Sequence, residues 1–384
     1  MKNYVLLFAV ILLLSCNPRE EKESCDVVDL TPFQNEEVSD DIVQYVEDVQ
    51  LIALETSDSC LMMGYPQNII IDDDRIIIVE HQLSRQPVKI FDRKGQFIAS
   101  VKTGQGPGEV SMANTAAVDK KLKQILVYHE DGIMHYDYDG KYIKDDRIDF
   151  NFYQFEVYRD ELVFIMCGHQ TNEMLGEKGG YKVYVMDREY NVKSFNHPIE
   201  VDLSFEKLRT IFQVEDKVVY IKDLDDTGYY YRDGEYGKLF TLRYDNLFAD
   251  GYPKSEEEIE RLLETMKKKD GYWIELYGEN ETHQFFRIRN DYGRKMVSAY
   301  RDKRSGHVKG SLITFDERVH NPNFKTRSPY NSYKDYFCTI IDPEVAETYL
   351  KELSSLLSDE EKKMLENISE ESNPLLLMYK LKEF

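Results

Sequence analysis

The chain has 384 residues, enough for one large repeat domain or two domains of ordinary size, and 42% of them are hydrophobic. It carries 71 acidic and 49 basic residues, which gives a formal net charge of −22. This acidity argues against nucleic acid as a partner, because phosphate binding requires clustered Lys and Arg. It also disfavours non-specific adhesion to anionic lipid surfaces and is typical of a soluble protein outside the cytoplasm.

The N-terminus carries the features of an export signal. Lys2 precedes ten apolar residues at 5–14, a stretch with the length of a signal-peptide core and far too short to span a bilayer. The sequence LLSC that ends at Cys16 resembles a lipobox, where a signal peptidase cuts before a cysteine whose sulfur receives diacylglycerol. We therefore predict a signal peptide at residues 1–15 and lipidation of Cys16. An ordinary cleavable signal with a chance cysteine is the alternative.

A polar segment follows the lipidation site. Residues 16–38 are rich in acidic and polar side chains, which predicts a flexible tether between the lipid and a folded domain at 39–384. Two or three acyl chains on one cysteine make a durable anchor. We expect the protein in the bacterial cell envelope, at the outer membrane rather than the inner one.

Four further cysteines have different expected roles. An oxidising envelope permits disulfides, so Cys25 and Cys60 could pair, although spacing alone does not show it. Cys167 and Cys338 lie in apolar runs typical of buried free thiols. Cys167 and His169 could supply two metal ligands, but no second Cys/His pair lies nearby, so no metal site is predicted.

A strand pattern repeats along the rest of the chain. Six apolar runs each follow a polar turn and a preceding strand-like segment, which predicts a hairpin each time; they begin at residues 76, 125, 162, 218, 285 and 336. Nearly continuous apolar runs are expected of strands covered on both faces. An Asp-x-x-Gly turn at 92–95 recurs at 137–140 and is echoed at 187–190, which predicts a second hairpin in each unit. Four antiparallel strands in roughly 50 residues predict an all-β, six-bladed β-propeller.

Helical patterns interrupt the repeat in two places. Ser255 opens a capping box, and apolar residues at helical spacing follow it within about 255–270. A second insertion, at about 342–368, begins at Asp342-Pro343 and contains another capping box at 358–361. We expect these helices to cover the flank or rim of the propeller, and partner binding is the alternative.

The two ends of the domain contain strands that lack a unit of their own. One lies at 49–55 and the other at 374–381. Because an open sheet edge invites aggregation, we predict that the early strand pairs with the C-terminal one and completes the last blade.

A glycine-rich stretch, TGQGPGEV at 103–110, poses a choice between a phosphate loop and a turn. Its glycines do not match G-x-G-x-x-G, Pro107 removes a backbone donor, and a strand rather than a helix follows. We therefore interpret it as a crossing between two blades, where glycine allows positive φ angles. The acidic stretch at 223–228 lacks the final Glu and flanking helices of a calcium loop and is interpreted as a hairpin, and Asp72–Asp74 as a solvated turn.

These features together resemble a known group of proteins. The GQGPGE stretch, the Asp-x-x-Gly turns, the lipobox and the closing NPLLLMYK at 373–380 are similar to those of six-bladed β-propeller lipoproteins of bacterial envelopes. That group comprises families of unknown function related in fold to the NHL and TolB-like propellers. The resemblance covers nearly the whole mature chain and implies a fold rather than an activity. Tyr190 replaces the turn glycine, and blades four to six lack the clear Asp-x-x-Gly turn.

Two functional hypotheses follow. Neither His-Glu-x-x-His nor Gly-x-Ser-x-Gly occurs, and no catalytic residue or cofactor is predicted. The first hypothesis is a monomeric, lipid-anchored module that binds a glycan, peptide or protein at one face of its channel. A ring of Tyr and Phe side chains around the channel would favour this hypothesis. The alternative is a calcium-dependent, lactonase-like hydrolase, which needs Glu, Asp and Asn side chains that converge at the channel mouth.

Overall fold

A computed structural model of the chain describes residues 25–34, 38–63, 66–80, 87–110, 113–129, 132–166, 172–199, 210–222, 225–246, 271–290, 294–320 and 322–384, together with residues 255, 257, 258, 260, 261 and 264. The predicted signal peptide, Cys16, Cys167 and His169 lie outside the described residues.

Strands dominate the described residues. Two of them precede the repeat, β1 (Asp26–Asp29) and β2 (Val46–Ala53). The next twelve form the first three blades: β3 (Pro66–Ile71), β4 (Arg75–Glu80), β5 (Val88–Asp92) and β6 (Phe97–Val101); β7 (Thr115–Asp119), β8 (Gln124–His129), β9 (Gly132–Asp137) and β10 (Tyr142–Arg147); β11 (Gln154–Tyr158), β12 (Glu161–Ile165), β13 (Tyr181–Met186) and β14 (Val192–Pro198).

The last three blades follow the same plan. Their strands are β15 (Ile211–Val214), β16 (Lys217–Ile221), β17 (Thr227–Arg232) and β18 (Glu235–Arg243); β19 (Tyr272–Glu279), β20 (His283–Asn290), β21 (Lys295–Asp302) and β22 (Val308–Thr314); β23 (Asn331–Tyr333), β24 (Tyr336–Ile341) and β25 (Leu375–Leu381). Within each blade, strands that follow one another in sequence are antiparallel neighbours.

The blades form a ring around a central channel. Their first strands contact one another about the axis, β3 with β7, β7 with β11, β11 with β15, β19 with β23, and β23 with β3. The predicted six-bladed propeller is therefore confirmed. The six apolar runs that predicted it are the second strands of the blades, β4, β8, β12, β16, β20 and β24.

The second strands are apolar throughout because each of them contributes to two interfaces. In β4, Ile76 and Ile78 pack against blade 6, whereas Ile77 and Val79 pack against blade 2. The described residues contain six buried hydrophobic clusters, and each joins two neighbouring blades. Side chains alternate between the faces of a strand, so a sheet packed on both sides needs apolar residues at every position.

The ring is closed by strands from both ends of the domain. β2 lies antiparallel to β25, with Leu51 opposite Leu377 and Val49 opposite Tyr379. The strand order in blade 6 is β2-β25-β24-β23, so the N-terminal strand is the outermost one. This confirms the predicted closure.

The segment predicted as a flexible tether is partly folded, which corrects the boundary at residue 38. β1 adds a fifth, parallel strand to the outer edge of blade 4, with Asp26 opposite Phe240. Val28 is buried in the cluster between blades 4 and 5. Asp40 lies at the outer edge of blade 5, where its N–H donates to Gly310 O over 2.9 Å.

The described residues C-terminal to β22 contain three α-helices: α1 (Phe315–His320), α2 (Ala346–Glu352) and α3 (Asp359–Asn367). α2 and α3 confirm the insertion predicted at 342–368, including the capping box in which Ser358 and Glu361 bond reciprocally. Buried side chains of α2, such as Tyr349, join the cluster between blades 5 and 6. For the insertion at 255–270, Glu258 N–H donates to Ser255 Oγ over 3.2 Å, and most of the rest lies outside the described residues.

The turns between third and fourth strands share one geometry. Asp92 Oδ1 accepts the N–H groups of Lys94 and Gln96, and Asp137 and Asp187 do the same in blades 2 and 3. The fourth turn residue takes a positive φ, +75° at Gly140 and +63° at Tyr190, where a glycine would carry less strain. Blade 5 has a related turn from Asp302 to Gly306, one residue longer, which explains why the sequence pattern missed it.

The glycine-rich stretch at 103–110 connects β6 to β7, so it is the predicted crossing between blades. Glu109 Oε2 accepts the N–H of Gly106 over 3.0 Å and lies so near Gly104 that a Cβ there would be 2.0 Å from it. Gly108 has a φ of +77°. The loop therefore uses its glycines to fold around its own carboxylate.

The cysteines that the structure describes form no disulfide. Cys60 and Cys338 are buried and Cys25 is partly buried, so no Cys25–Cys60 disulfide is present. Cys60 Sγ instead donates to Glu55 O. Among the described residues, no helix has the length and apolar character needed to cross a bilayer.

Deletion of residues 375–384 should abolish cooperative thermal unfolding, because it removes β25, which leaves β2 without a partner and exposes one edge of β24. Circular dichroism during heating measures this. As a control, deletion of residues 17–34 removes the outer strand β1 and the short 3-10 turn Thr31–Gln34 that follows it, and should lower the melting temperature while the transition stays cooperative. A chain without 375–384 that melts like the intact protein contradicts the role of the closure.

Candidate functional site at the channel mouth

The central channel opens on one face into a cavity of about 440 Å³. We call this cavity the channel mouth. It is lined by the turns between first and second strands of blades 1, 2, 4, 5 and 6, which contribute Ile71, Asp72, Asp73, Asp74, Lys120, Lys123, Gln213, Val214, Glu215, Asn280, Glu281, Ser332, Tyr333 and Lys334. Its volume falls within the range of roughly 300–1,000 Å³ that is typical of small-molecule sites.

Three of these turns are built in the same way. Asp72 Oδ1 accepts the N–H groups of residues 74 and 75, at 2.8 and 3.0 Å. Asp119 accepts from residues 121 and 122, and Asn280 from residues 282 and 283. Such Asx turns satisfy backbone donors locally and fix the shape of the loop. The shared Asx residue before each second strand is the sequence signal that would have identified this set.

The turns also link neighbouring blades. Tyr138 OH of blade 2 donates to Asp72 Oδ2, and burial together with the Asp72 carboxylate raises the pKa of Tyr138. Asn280 Nδ2 donates to Asp335 O of blade 6 over 2.7 Å. Asp72 is only 6% exposed, so the prediction of a solvated turn was wrong for this residue. It is buried because an aromatic side chain from the adjacent blade covers it.

Ion pairs hold the remaining aspartates of blade 1. Asp74 pairs with Lys123 of blade 2, and Asp73 lies 3.4 Å from Lys334 Nζ of blade 6. Tyr333 OH also donates to Asp73 Oδ1 over 2.5 Å. Hydrogen bonds from Tyr333 and Lys334 lower the pKa of Asp73. The mouth is therefore polar and stays charged at neutral pH.

A buried carboxylate supports the mouth from below. The side chain of Glu279 is fully buried and lies 3.1 Å from Lys217 of blade 4 and 2.9 Å from Lys303 of its own blade. Tyr277 OH donates to its other oxygen over 2.5 Å. Burial alone would raise the pKa of Glu279, but the two lysines outweigh it and the pKa is lowered. Ser332 Oγ of blade 6 donates to Glu279 O, so this residue joins three blades.

The chemistry expected of the hydrolase alternative finds no support at this site. Within the described part of the chain, no group of three or more His, Cys, Asp and Glu side chains is placed to hold a metal ion. Nor is the mouth ringed by aromatic side chains, since Tyr333 is the one aromatic residue among those that line it. What converges here is a set of paired charges and amides, which suits binding of a polar ligand.

The sequence-based site residues fall elsewhere. Cys16, Cys167 and His169 lie outside the described residues, so the lipidation of Cys16 and the buried free thiol expected at Cys167 stay predictions. In the stretch at 223–228, residues 223 and 224 are also outside, but Asp225 Oδ1 accepts Thr227 N–H between the antiparallel strands β16 and β17. The hairpin interpretation is confirmed there.

The fold and this site define a six-bladed β-propeller with a polar, ion-paired channel mouth. The chain belongs to the family described as Domain of unknown function (DUF4934), whose model matches residues 25–380. No curated protein matches the chain. The resemblance to NHL and TolB-like propellers stays a prediction.

Two solved structures are similar to this chain to very different degrees. A Bacteroides fragilis protein provisionally described as exported matches with a TM-score of 0.70 at 18% identity, over 93% of this chain and 100% of that chain. A quinoprotein alcohol dehydrogenase-like protein of Bacteroides thetaiotaomicron matches with a TM-score of 0.36 at 11% identity, over 64% of this chain and 65% of that chain. At these identities the first match bears on the fold alone, and the second carries no argument.

Replacement of Glu279 by Ala should lower the free energy of unfolding by about 2–4 kcal/mol at pH 7, because Lys217 is then left largely buried without a partner. Urea denaturation measures this, and Glu281→Ala, at an exposed position of the mouth, should change it by less than about 0.5 kcal/mol. Equal effects of the two substitutions would contradict the assignment.

The contribution of Glu279 should depend on pH. Its folded-state pKa is lowered, so its stabilisation is complete above the unfolded-state pKa and is lost as pH falls through the folded value. The difference in unfolding free energy between the wild type and Glu279→Gln should therefore shrink as pH falls below about 4. A difference that grows in acid would contradict this sign.

Proposed function

We propose that this protein is an extracytoplasmic binding module, anchored by a lipid on Cys16, that captures a small polar ligand at the channel mouth. The observation that carries the proposal is the convergence of charged and amide side chains from five blades on one open cavity. Rigid turns and ion pairs between blades hold these groups in place before any ligand arrives, which reduces the entropy cost of binding.

The proposed location rests on the sequence. The export signal and lipobox at 1–16 support an envelope protein, and the structurally similar Bacteroides fragilis protein is itself described as exported. The strong negative charge of the chain fits a soluble domain next to, but not adsorbed on, a membrane. A glycan, a peptide or part of a partner protein are the ligand classes that a polar mouth accommodates.

A thermal-shift screen of oligosaccharides, peptides and divalent metals on residues 17–384, a form without the lipidation site Cys16, tests the binding function. A ligand at 100 times its Kd should stabilise the folded state by about 2.7 kcal/mol. The substitution Lys120→Trp places a bulky side chain at an exposed position of the mouth, and should abolish the shift. Lys141→Trp, at an exposed position in the outer turn of the same blade, is the control and should not.

A ligand whose shift is unaffected by Lys120→Trp would place the binding site elsewhere and overturn the proposal. The same conclusion follows if no member of the screen gives a shift that depends on this position.

Lipid anchoring is tested by metabolic labelling with a palmitate analogue. The wild type should be labelled and partition with membranes, whereas Cys16→Ala should be unlabelled, because only a thiol at that position can accept the diacylglycerol. Cys25→Ala, at the next cysteine along the chain, is the matched control and should label like the wild type. Equal labelling of wild type and Cys16→Ala would remove the anchor from the proposal.

A further inference from the structure

A second, smaller cavity adjoins the channel mouth, and we call it the notch. Residues of blades 4, 5 and 6 form its walls. Gln213, Val214 and Ser332 line both the notch and the mouth, so the two cavities meet at these residues. A hydrogen bond between blades fixes this junction, because Ser332 Oγ donates to Glu279 O over 2.5 Å. A ligand held in the mouth can therefore extend a substituent into the notch.

The walls of the notch are mainly apolar. Phe212 of β15 and Tyr277 of β19 contribute aromatic rings whose centroids lie 5.6 Å apart. Pro329 and Tyr330, just before β23, contribute the wall from blade 6. At Gly278 of β19 a Cβ would lie 3.6 Å from Pro329 Cγ, which is an ordinary contact distance. The glycine therefore leaves open a space that a side chain would occupy.

The notch is also small. Its volume of about 10 Å³ has room for a single group of the size of water or methyl. A buried water molecule needs two to four polar partners, whereas rings and aliphatic groups bound most of this space. A methyl group therefore fits the notch better than a hydroxyl group does.

The junction between notch and mouth offers free backbone groups. β15 is the first strand of blade 4 and pairs with β16 on one side only, so its other edge faces the channel. Ile221 N–H donates to Thr210 O, which places the ladder hydrogen bonds of β15 at residues 210, 212 and 214. The N–H and C=O groups of Gln213 therefore point away from β16. They supply the donor and the acceptor that an amide substituent needs.

The charged side chains of the mouth can serve a neutral ligand. Asp74 pairs with Lys123, and Asp73 lies 3.4 Å from Lys334 Nζ. Carboxylates and ammonium groups that are paired in this way keep further lone pairs and N–H groups for hydrogen bonds. A sugar hydroxyl is both a donor and an acceptor and carries no charge, so it can bond with either type of group.

Resting on the proposed function, we propose that the ligand is a glycan with an N-acetylated amino sugar, which places its hydroxyl groups in the mouth and its acetamido methyl group in the notch. An acetamido group is an amide that ends in a single methyl group, so it matches both the free backbone groups of Gln213 and the apolar space beside them. A peptide amide is flanked on each side by a substituted Cα, for which the notch has no room. A sugar with hydroxyl groups alone leaves the notch unfilled.

Ligand-observed NMR titration of residues 17–384 tests this assignment. The probes are the methyl glycosides of N-acetylglucosamine, N-acetylgalactosamine and N-acetylmannosamine, each compared with its N-propionyl derivative and with the hexoside that carries a hydroxyl group instead. We expect at least one acetamido glycoside to bind, and its hydroxyl counterpart to bind about four-fold more weakly or worse, the value of one buried methyl group. The N-propionyl derivative should bind about five-fold more weakly or worse, because its extra methylene does not fit.

A cavity-filling variant locates the methyl group. Gly278→Ala should remove the preference for acetamido over hydroxyl glycosides and leave binding of the hydroxyl glycosides unchanged. Gly180→Ala is the matched control, because Gly180 is exposed, a Cβ there meets nothing within 4 Å, and the preference should persist. Lys120→Trp should weaken binding of every glycoside. No atom lies nearer than 3.6 Å to a Cβ at Gly278, so this variant should fold, and a thermal melt checks it.

Four outcomes overturn this inference: no binding by any acetamido glycoside, equal binding of acetamido and hydroxyl glycosides, equal binding of acetamido and N-propionyl glycosides, or a preference that persists in Gly278→Ala. If another ligand of the thermal-shift screen binds and loses its shift in Lys120→Trp, the mouth is a binding site for a different class of ligand, and the proposed function stands without the acetamido group. If no ligand depends on Lys120→Trp, both proposals fail.

Discussion

The fold depends on the fact that no blade can bury both of its faces alone. Each is a single sheet of four or five strands, and residues such as Ile76 and Ile77, adjacent in β4, point into different interfaces. A sheet of this kind is stable only between two others, so a linear row of blades would always expose two apolar faces. A closed ring removes the exposed faces. The strand pair β2 and β25 is what makes the row a ring, and it joins residues more than 300 positions apart.

Much of this architecture was predictable because its signals are local. The second strands are visible in the sequence as apolar runs. The turns between third and fourth strands are marked by Asp92 and Asp137, whose side chains accept hydrogen bonds from residues two and four positions ahead. Other elements were missed for identifiable reasons. α1 has a capping pattern at Thr314 and Glu317, but an apolar strand runs directly into it. β1 has four residues and folds only because β18 offers it an edge.

The candidate site was far less predictable than the fold. The burial of Asp72 is caused by Tyr138, 66 residues further along the chain, and nothing local to the Asp72–Asp74 run reveals it. The mouth likewise combines turns from five blades, each unremarkable in sequence, and their convergence is a property of the ring. What the sequence did contain is the charge of each turn. The sequence does not show which of these charges pair across blades, because the pairing depends on how the folded ring places the turns around its axis.

The added strand β1 has a mechanical consequence. Without β1, a force that pulls on the chain N-terminal to the propeller would act directly on β2 and would separate β2 from β25. β1 runs parallel to β18, and its Asp26 is joined to Arg301 of blade 5 over 2.7 Å. A pull towards the N-terminus therefore loads several hydrogen bonds in shear, and the load is borne by blades 4 and 5. The strand pair β2 and β25, which closes the ring, is therefore protected from a pulling force on the N-terminal end of the chain.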